Sequence, residues 1–139
     1  MEKKLSSNPI IGVGTRIWIH KNGKVLLGKR KGSLGANTYA PPGGRVEYGE
    51  TWQQTMEREV LEESGLTIGN TVLCCVGNDF FENGVHYVTI CATADWVAGE
   101  PEIREPDTCI DWNWYDWETL PKPLFLSTSN CERVRKLSE

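Results

Sequence analysis

The chain has 139 residues, of which 39 % are hydrophobic and 24 % charged. These proportions fit one globular domain and exclude disordered, collagenous and fibrous classes. Acidic residues outnumber basic ones 19 to 15, a formal net charge of −4. That balance argues against a protein that coats nucleic-acid polymers or lies on a membrane surface.

The N-terminal residues 1–8 carry two lysines but no apolar run behind a cleavage site, and no stretch is long enough to cross a bilayer. The expected compartment is therefore the cytoplasm. Five cysteines, none in a CxxC pair, read as reduced core thiols. Cys74 and Cys75 are adjacent, so on a regular strand their side chains would point to opposite faces. A thiol nucleophile would need a partner base, and His20 and His86 are the only histidines.

In chain order, Ile10–His20 is rich in β-branched residues and predicts a strand. Asn22-Gly23 is a hairpin signal, with Val25–Arg30 returning. Lys31–Asn37 is loop by composition, and Thr38–Ala40 is a short extended piece before Pro41-Pro42-Gly43-Gly44. Thr51 and Gln54 form a capping box, and Trp52–Ser64 is free of Gly and Pro up to Gly65, so the segment predicts a helix with Met56 and Val60 on its apolar side. Thr71–Phe81 and Val85–Val97 predict two strands joined at Asn83-Gly84. Cys109–Tyr115 alternates, with Trp112 and Trp114 on one face, and Ser127–Leu137 can form a terminal helix. The Trp112, Trp114 and Trp117 cluster reads as core or interface. The expectation is one α+β domain over residues 1–139, a mixed or mostly antiparallel sheet with helices packed on it.

The chemistry concentrates on the helix. Glu59, Glu62 and Glu63 stand at i, i+3 and i+4, within an arc of about 100°. One reading is a solvated acidic face compensated by Arg58. The other is a divalent-cation site, since Mg²⁺ takes hard oxygen ligands and is held by one or two carboxylates together with substrate phosphates. Zinc is disfavoured because no His or Cys sits in the cluster.

Gly44, Glu50, Arg58, Glu59, Val60, Glu62, Glu63, Gly65 and Leu66 reproduce the signature of the Nudix hydrolase family, G-x5-E-x7-R-E-U-x-E-E-x-G-U with U apolar. Chance agreement at its seven fixed positions is on the order of 10⁻⁶ for one chain, which outweighs the solvated-face reading. The resemblance implies an α/β/α sandwich with a mixed central sheet and a box at residues 44–66. It implies Mg²⁺, with Mn²⁺ as a substitute, held by Glu59 and Glu63, with Glu62 as a further ligand, the Gly43 carbonyl as an extra one and Glu50 as an auxiliary acid. Glu63 or Glu62 would orient or deprotonate the attacking water, and Arg58 would orient a box carboxylate.

Beyond the box, Leu27–Ala36, Tyr48–Trp52, His86–Ile90, Glu105–Trp114 and Trp117–Pro121 resemble the MutT-like branch that converts (d)NTPs, including modified purine nucleotides, to NMP and pyrophosphate. By that analogy Arg30 and Gly44 would meet the phosphates, and Thr89 and Phe125 would lie near the base. Pro41-Pro42 stands where the branch more often has Leu-Pro, which puts base preference in question. Cys109 aligns with a distal glutamate ligand, leaving Glu105, Asp107 or no residue in that role. A homodimer is compatible with the branch, its contact at the first strand or the terminal elements. The alternatives are an ADP-ribose or nucleotide-sugar pyrophosphatase and a catalytically silent nucleotide-sensing domain. RNA decapping is weaker still, because no extra basic region accompanies the domain.

Overall fold

The computed structural model describes residues 10–131 apart from 33 and 83. Six strands and one long helix follow in the order β1 (Ile11–Lys21), β2 (Lys24–Arg30), β3 (Tyr39–Ala40), α1 (Trp52–Ser64), β4 (Thr67–Phe80), β5 (His86–Ala98) and β6 (Cys109–Asp116). A helical segment at 126–131 closes the described chain. The rest of the terminal helix expected to Leu137, and Asn83 of the second hairpin, lie outside the described residues.

The β1–β2 turn puts Asn22 at φ 52° and Gly23 at φ 77°, the left-handed pair that a tight hairpin matched to strand twist requires. Only two residue pairs join the strands beyond it, His20↔Val25 and Lys21↔Lys24. They then splay. β1 continues in parallel with β5 from Ile11↔His86 to His20↔Asp95, and β2 pairs antiparallel with β6 along its length. The free edge of β1 is taken by the segment before the helix. Ile17 donates to the Pro42 carbonyl (2.9 Å), Thr15 to that of Gly44 (2.8 Å), and Val46 to that of Val13 (2.9 Å). A proline- and glycine-rich stretch thus serves as a strand substitute, and the gap between β1 and β2 becomes a cleft.

The core lies on both sides of the sheet. Ile17 and Ile19 face α1, where Met56 and Val60 are fully buried with Leu66 and Ile68 beyond the helix. Trp18, Val25 and Leu27 face the other way, toward Cys91 and Cys131, the latter on the 126–131 segment. This is the expected α/β/α layering. Trp112 and Trp114 both pack against the helix-side core, while Trp117 meets Trp18 edge-on at 4.8 Å.

α1 spans the expected residues. The Thr51 side chain accepts from the Gln54 N–H (3.1 Å), Gln54 Oε1 accepts from the Thr51 N–H (2.9 Å), and Gly65 ends the helix at φ 78°.

Two expectations are corrected. β4 begins at Thr67 rather than Thr71, because Gly69-Asn70, a turn signal by composition, is absorbed as a bulge with Asn70 at φ 52°. Cys74 and Cys75 do not point apart. The register advances two residues on β4 for one on β5 between Leu73↔Ala92 and Cys75↔Cys91, and this second bulge breaks the alternation, so both thiols gather with Cys131.

Candidate active site

The last two turns of α1 carry the carboxylates into the mouth of the cleft. Arg58 organises them from the helix surface. Its Nε donates to Glu50 Oε2 (2.7 Å), Nη2 to Glu50 Oε1 (2.9 Å) and to the Arg45 carbonyl (3.2 Å), and Nη1 to Glu59 Oε1 (2.8 Å) and Glu62 Oε2 (3.3 Å). The fork on Glu50 is the bidentate geometry that suits a guanidinium and not an ammonium. It holds the Glu50 carboxyl down at about 2, helped by the Glu47 N–H and the Thr55 hydroxyl. Glu50 is therefore tied down by three residues, Glu47 before the helix and Thr55 and Arg58 on it, although it lies outside the helix itself.

The three helical acids are not equivalent. The Glu62 side chain is 52 % exposed and Glu59 14 %. Glu63 lies deeper: burial pushes its carboxyl well above the usual range, Arg16 opposes that shift, and the nearby charge of Glu59 adds to it. Two neighbouring carboxyls in a largely desolvated cleft form a set that a proton or a cation stabilises. With hard oxygen donors throughout, the set fits a divalent metal ion.

The glycines shape this floor. A Cβ on Gly44 would land on the Glu59 carboxylate, and one on Gly43 would land on the Thr15 carbonyl oxygen. Gly43 therefore lacks a side chain so that the loop can lie on β1, a reason distinct from close approach to a metal. Gly43 lines the same cleft as Glu63, Glu105 and Cys109. Glu105, on the loop before β6, is raised by burial and by the charges of Glu59 and Glu62, so it shares their field. Asp107 is exposed. The Cys109 thiol is pushed up to about 11, by burial first and then by Glu63.

Arg16 and Arg30 line both this cleft and a second cavity that opens beside it. The second cavity is walled by Phe81, Tyr87, Thr89, Phe125 and Ser127. Phe81 and Phe125 stack at 5.5 Å, and the Arg30 guanidinium sits 4.0 Å over the Phe125 ring. Arg30, Gly44, Thr89 and Phe125 are thus brought to one cavity, and Arg30 is not a free surface charge.

Residues 11–133 match the family described as NUDIX domain. The chain belongs to the Nudix family. It is 44 % identical over 114 residues to the oxidized purine nucleoside triphosphate hydrolase of Danio rerio, covering 77 % of this chain and 67 % of that protein. It is 32 % identical over 108 residues to the ADP-ribose pyrophosphatase of Methanocaldococcus jannaschii, covering 77 % of this chain and 63 % of that one. The crystal structure of a MutT NUDIX hydrolase from Burkholderia pseudomallei superposes with a TM-score of 0.84 at 32 % identity, over 89 % of this chain and 97 % of that one. The chain is therefore a MutT-like Nudix hydrolase, spanning about two-thirds of the length of these curated relatives.

Phe81, Tyr87 and Ser127 of the second cavity carry no signal in the sequence, and Arg16 of this Nudix site carries a weak one. Arg16 donates from Nε to the Ser127 hydroxyl (3.1 Å) and from Nη1 to the Pro41 carbonyl (3.5 Å), with its guanidinium 5.1 Å from the Phe125 ring centre. Burial lowers its pKa, opposed by Glu63. The available signal was a lone arginine in the apolar run Val13–Ile19, where a charge must have a partner.

Proposed function

We propose that this Nudix hydrolase cleaves a purine nucleoside triphosphate, oxidised bases included, to the monophosphate and pyrophosphate with Mg²⁺ as its cation. The supporting observation is the adjacency of two unlike chambers. A carboxylate cleft and an aromatic cavity share Arg16 and Arg30 as their common wall. A base stacked near Phe125 would send its phosphates past two guanidiniums toward Glu59 and Glu63. The similarity to the Danio rerio oxidized purine nucleoside triphosphate hydrolase points the same way.

Glu59 and Glu63 would hold the cation, with Glu62 and Glu105 as further carboxylates and the Gly43 carbonyl beside them. When bound, Mg²⁺ supplies charge neutralisation at the phosphate oxygens. Arg58 keeps Glu50 and Glu59 in place. A water attacks phosphorus, the bond to the pyrophosphate oxygen breaks, and the proton of the water passes to a box carboxylate. Between Glu62 and Glu63, position favours Glu63, which lines the cleft while the Glu62 side chain is half exposed. Arg16 and Arg30 orient the phosphates and balance their charge.

The test is a product-resolved screen of (d)NTPs, 8-oxo-dGTP, ADP-ribose and sugar nucleotides in Mg²⁺. Pyrophosphate and monophosphate from a triphosphate support the proposal. Preferential release of AMP and a sugar phosphate from ADP-ribose would favour the second reading, which the Methanocaldococcus jannaschii relative keeps open.

A further inference from the structure

Four of the five cysteines meet on the face of the sheet opposite α1, a grouping that the nucleotide chemistry does not use. The Sγ atoms of Cys74, Cys75 and Cys131 all lie within 4.8 Å of one another, and those of Cys75 and Cys131 are 2.9 Å apart. Cys91 stands opposite Cys75 in the β4–β5 register and packs in the same core cluster as the other three. All four are free thiols. Their side chains arrive from three separate elements, and Cys74 joins them only because of the bulge that interrupts β4. A regular strand would have turned it away.

The geometry points to a thiolate site for a soft d¹⁰ cation of the zinc class, ligated by Cys74, Cys75 and Cys131, with the fourth position left to water. A tetrahedral ion with Zn–S bonds of about 2.3 Å separates its ligand sulfurs by about 3.8 Å. The observed separations, from 2.9 Å to at most 4.8 Å, bracket that value, so side-chain adjustment suffices. A three-sulfur donor set selects a soft cation and discriminates against Mg²⁺, which the carboxylate cleft takes instead. Cys91 and Cys131 are 2–3 % exposed, while Cys74 and Cys75 are half-buried and leave a way in. Arg16 stands opposite Cys91 in the β1–β5 register, so a positive charge lies on the neighbouring strand.

The site would also touch catalysis indirectly. Cys131 lies on the segment that carries Ser127 into the aromatic cavity, and Asn130 Nδ2 donates to Asp79 Oδ1 (2.7 Å) across the same seam. A metal tying Cys131 to β4 would pin that wall of the substrate cavity to the sheet.

The test uses Co²⁺ as a spectroscopic stand-in for Zn²⁺, added to the reduced protein in excess Mg²⁺. The expected result is one equivalent bound with a sulfur-to-cobalt charge-transfer band, displaced by Zn²⁺. The band should be lost in the Cys75→Ser/Cys131→Ser double variant and kept in Cys109→Ser, whose thiol lies in the carboxylate cleft. In the wild-type chain, Zn²⁺ should shield Cys74, Cys75 and Cys131 from alkylation but not Cys109, a readout that needs no variant to fold. Absence of a thiolate band, its survival in the double variant, or its dependence on Cys109 would overturn the inference. So would a reduced protein that binds no Co²⁺ yet joins Cys75 to Cys131 in a disulfide under peroxide.

Discussion

At the residue scale, two adjacent glycines separate fold from function. Gly44→Ala pushes a methyl into the Glu59 carboxylate, a side chain that can yield. The expected outcome is a folded protein whose half-saturating Mg²⁺ rises by about 10–100-fold, the usual cost of disturbing a ligand's surroundings. Gly43→Ala meets the Thr15 backbone instead, and a lower melting temperature should come first. The pair of Mg²⁺ titrations and melting curves checks this. Glu50 gives a pH prediction. Its folded pKa, about 2, lies below the ordinary 4.5, so its bond to Arg58 adds stability in full above about pH 4.5 and loses it as pH falls toward 2. The melting-temperature gap between wild type and Glu50→Gln should therefore be constant above pH 5 and close below 4. Much of this site could be read from residue identity, because the helix spacing of Glu59, Glu62 and Glu63 needs no tertiary information. Arg16 could not, since its place depends on Pro41, Phe125 and Ser127 meeting over β1, nor could the approach of Glu105 to the cleft, which depends on the fold of the loop before β6.

At the scale of elements, α1 was legible to the residue because its boundaries are set locally, by the Thr51–Gln54 box and Gly65. Thr51→Ala should cost about 1 kcal/mol in denaturant unfolding while leaving turnover little changed. The strands were less legible. Segment 42–46 pairs with β1 without any strand-forming composition, and the bulges of β4 reverse the facing of residues that a period of two would assign. Both are tertiary decisions. The first answers the unpaired edge that β1 exposes once the hairpin splays, and the second places Cys74 beside Cys75.

Over the whole molecule, the described residues form one layered Nudix sheet with two helical covers. The aromatic cavity and the carboxylate cleft are coupled through Arg16 and Arg30. Phe125→Leu, which keeps an apolar side chain, should weaken kcat/KM for the triphosphate by about 1–3 kcal/mol through loss of base stacking, chiefly in KM. A fall in melting temperature with unchanged KM would make Phe125 a packing residue only. The net charge of −4 fits this arrangement, since the acids gather where a divalent cation would reverse the local sign.

The central claim is that the Glu63 carboxylate cleft hydrolyses the triphosphate. It is tested most directly by measuring pyrophosphate release from 8-oxo-dGTP in Mg²⁺ for wild type and Glu63→Gln, alongside their melting temperatures. The wild type should release pyrophosphate and monophosphate in equal amounts, and the folded variant should lose about 10²–10⁴-fold in kcat. Near-wild-type turnover by Glu63→Gln would contradict it.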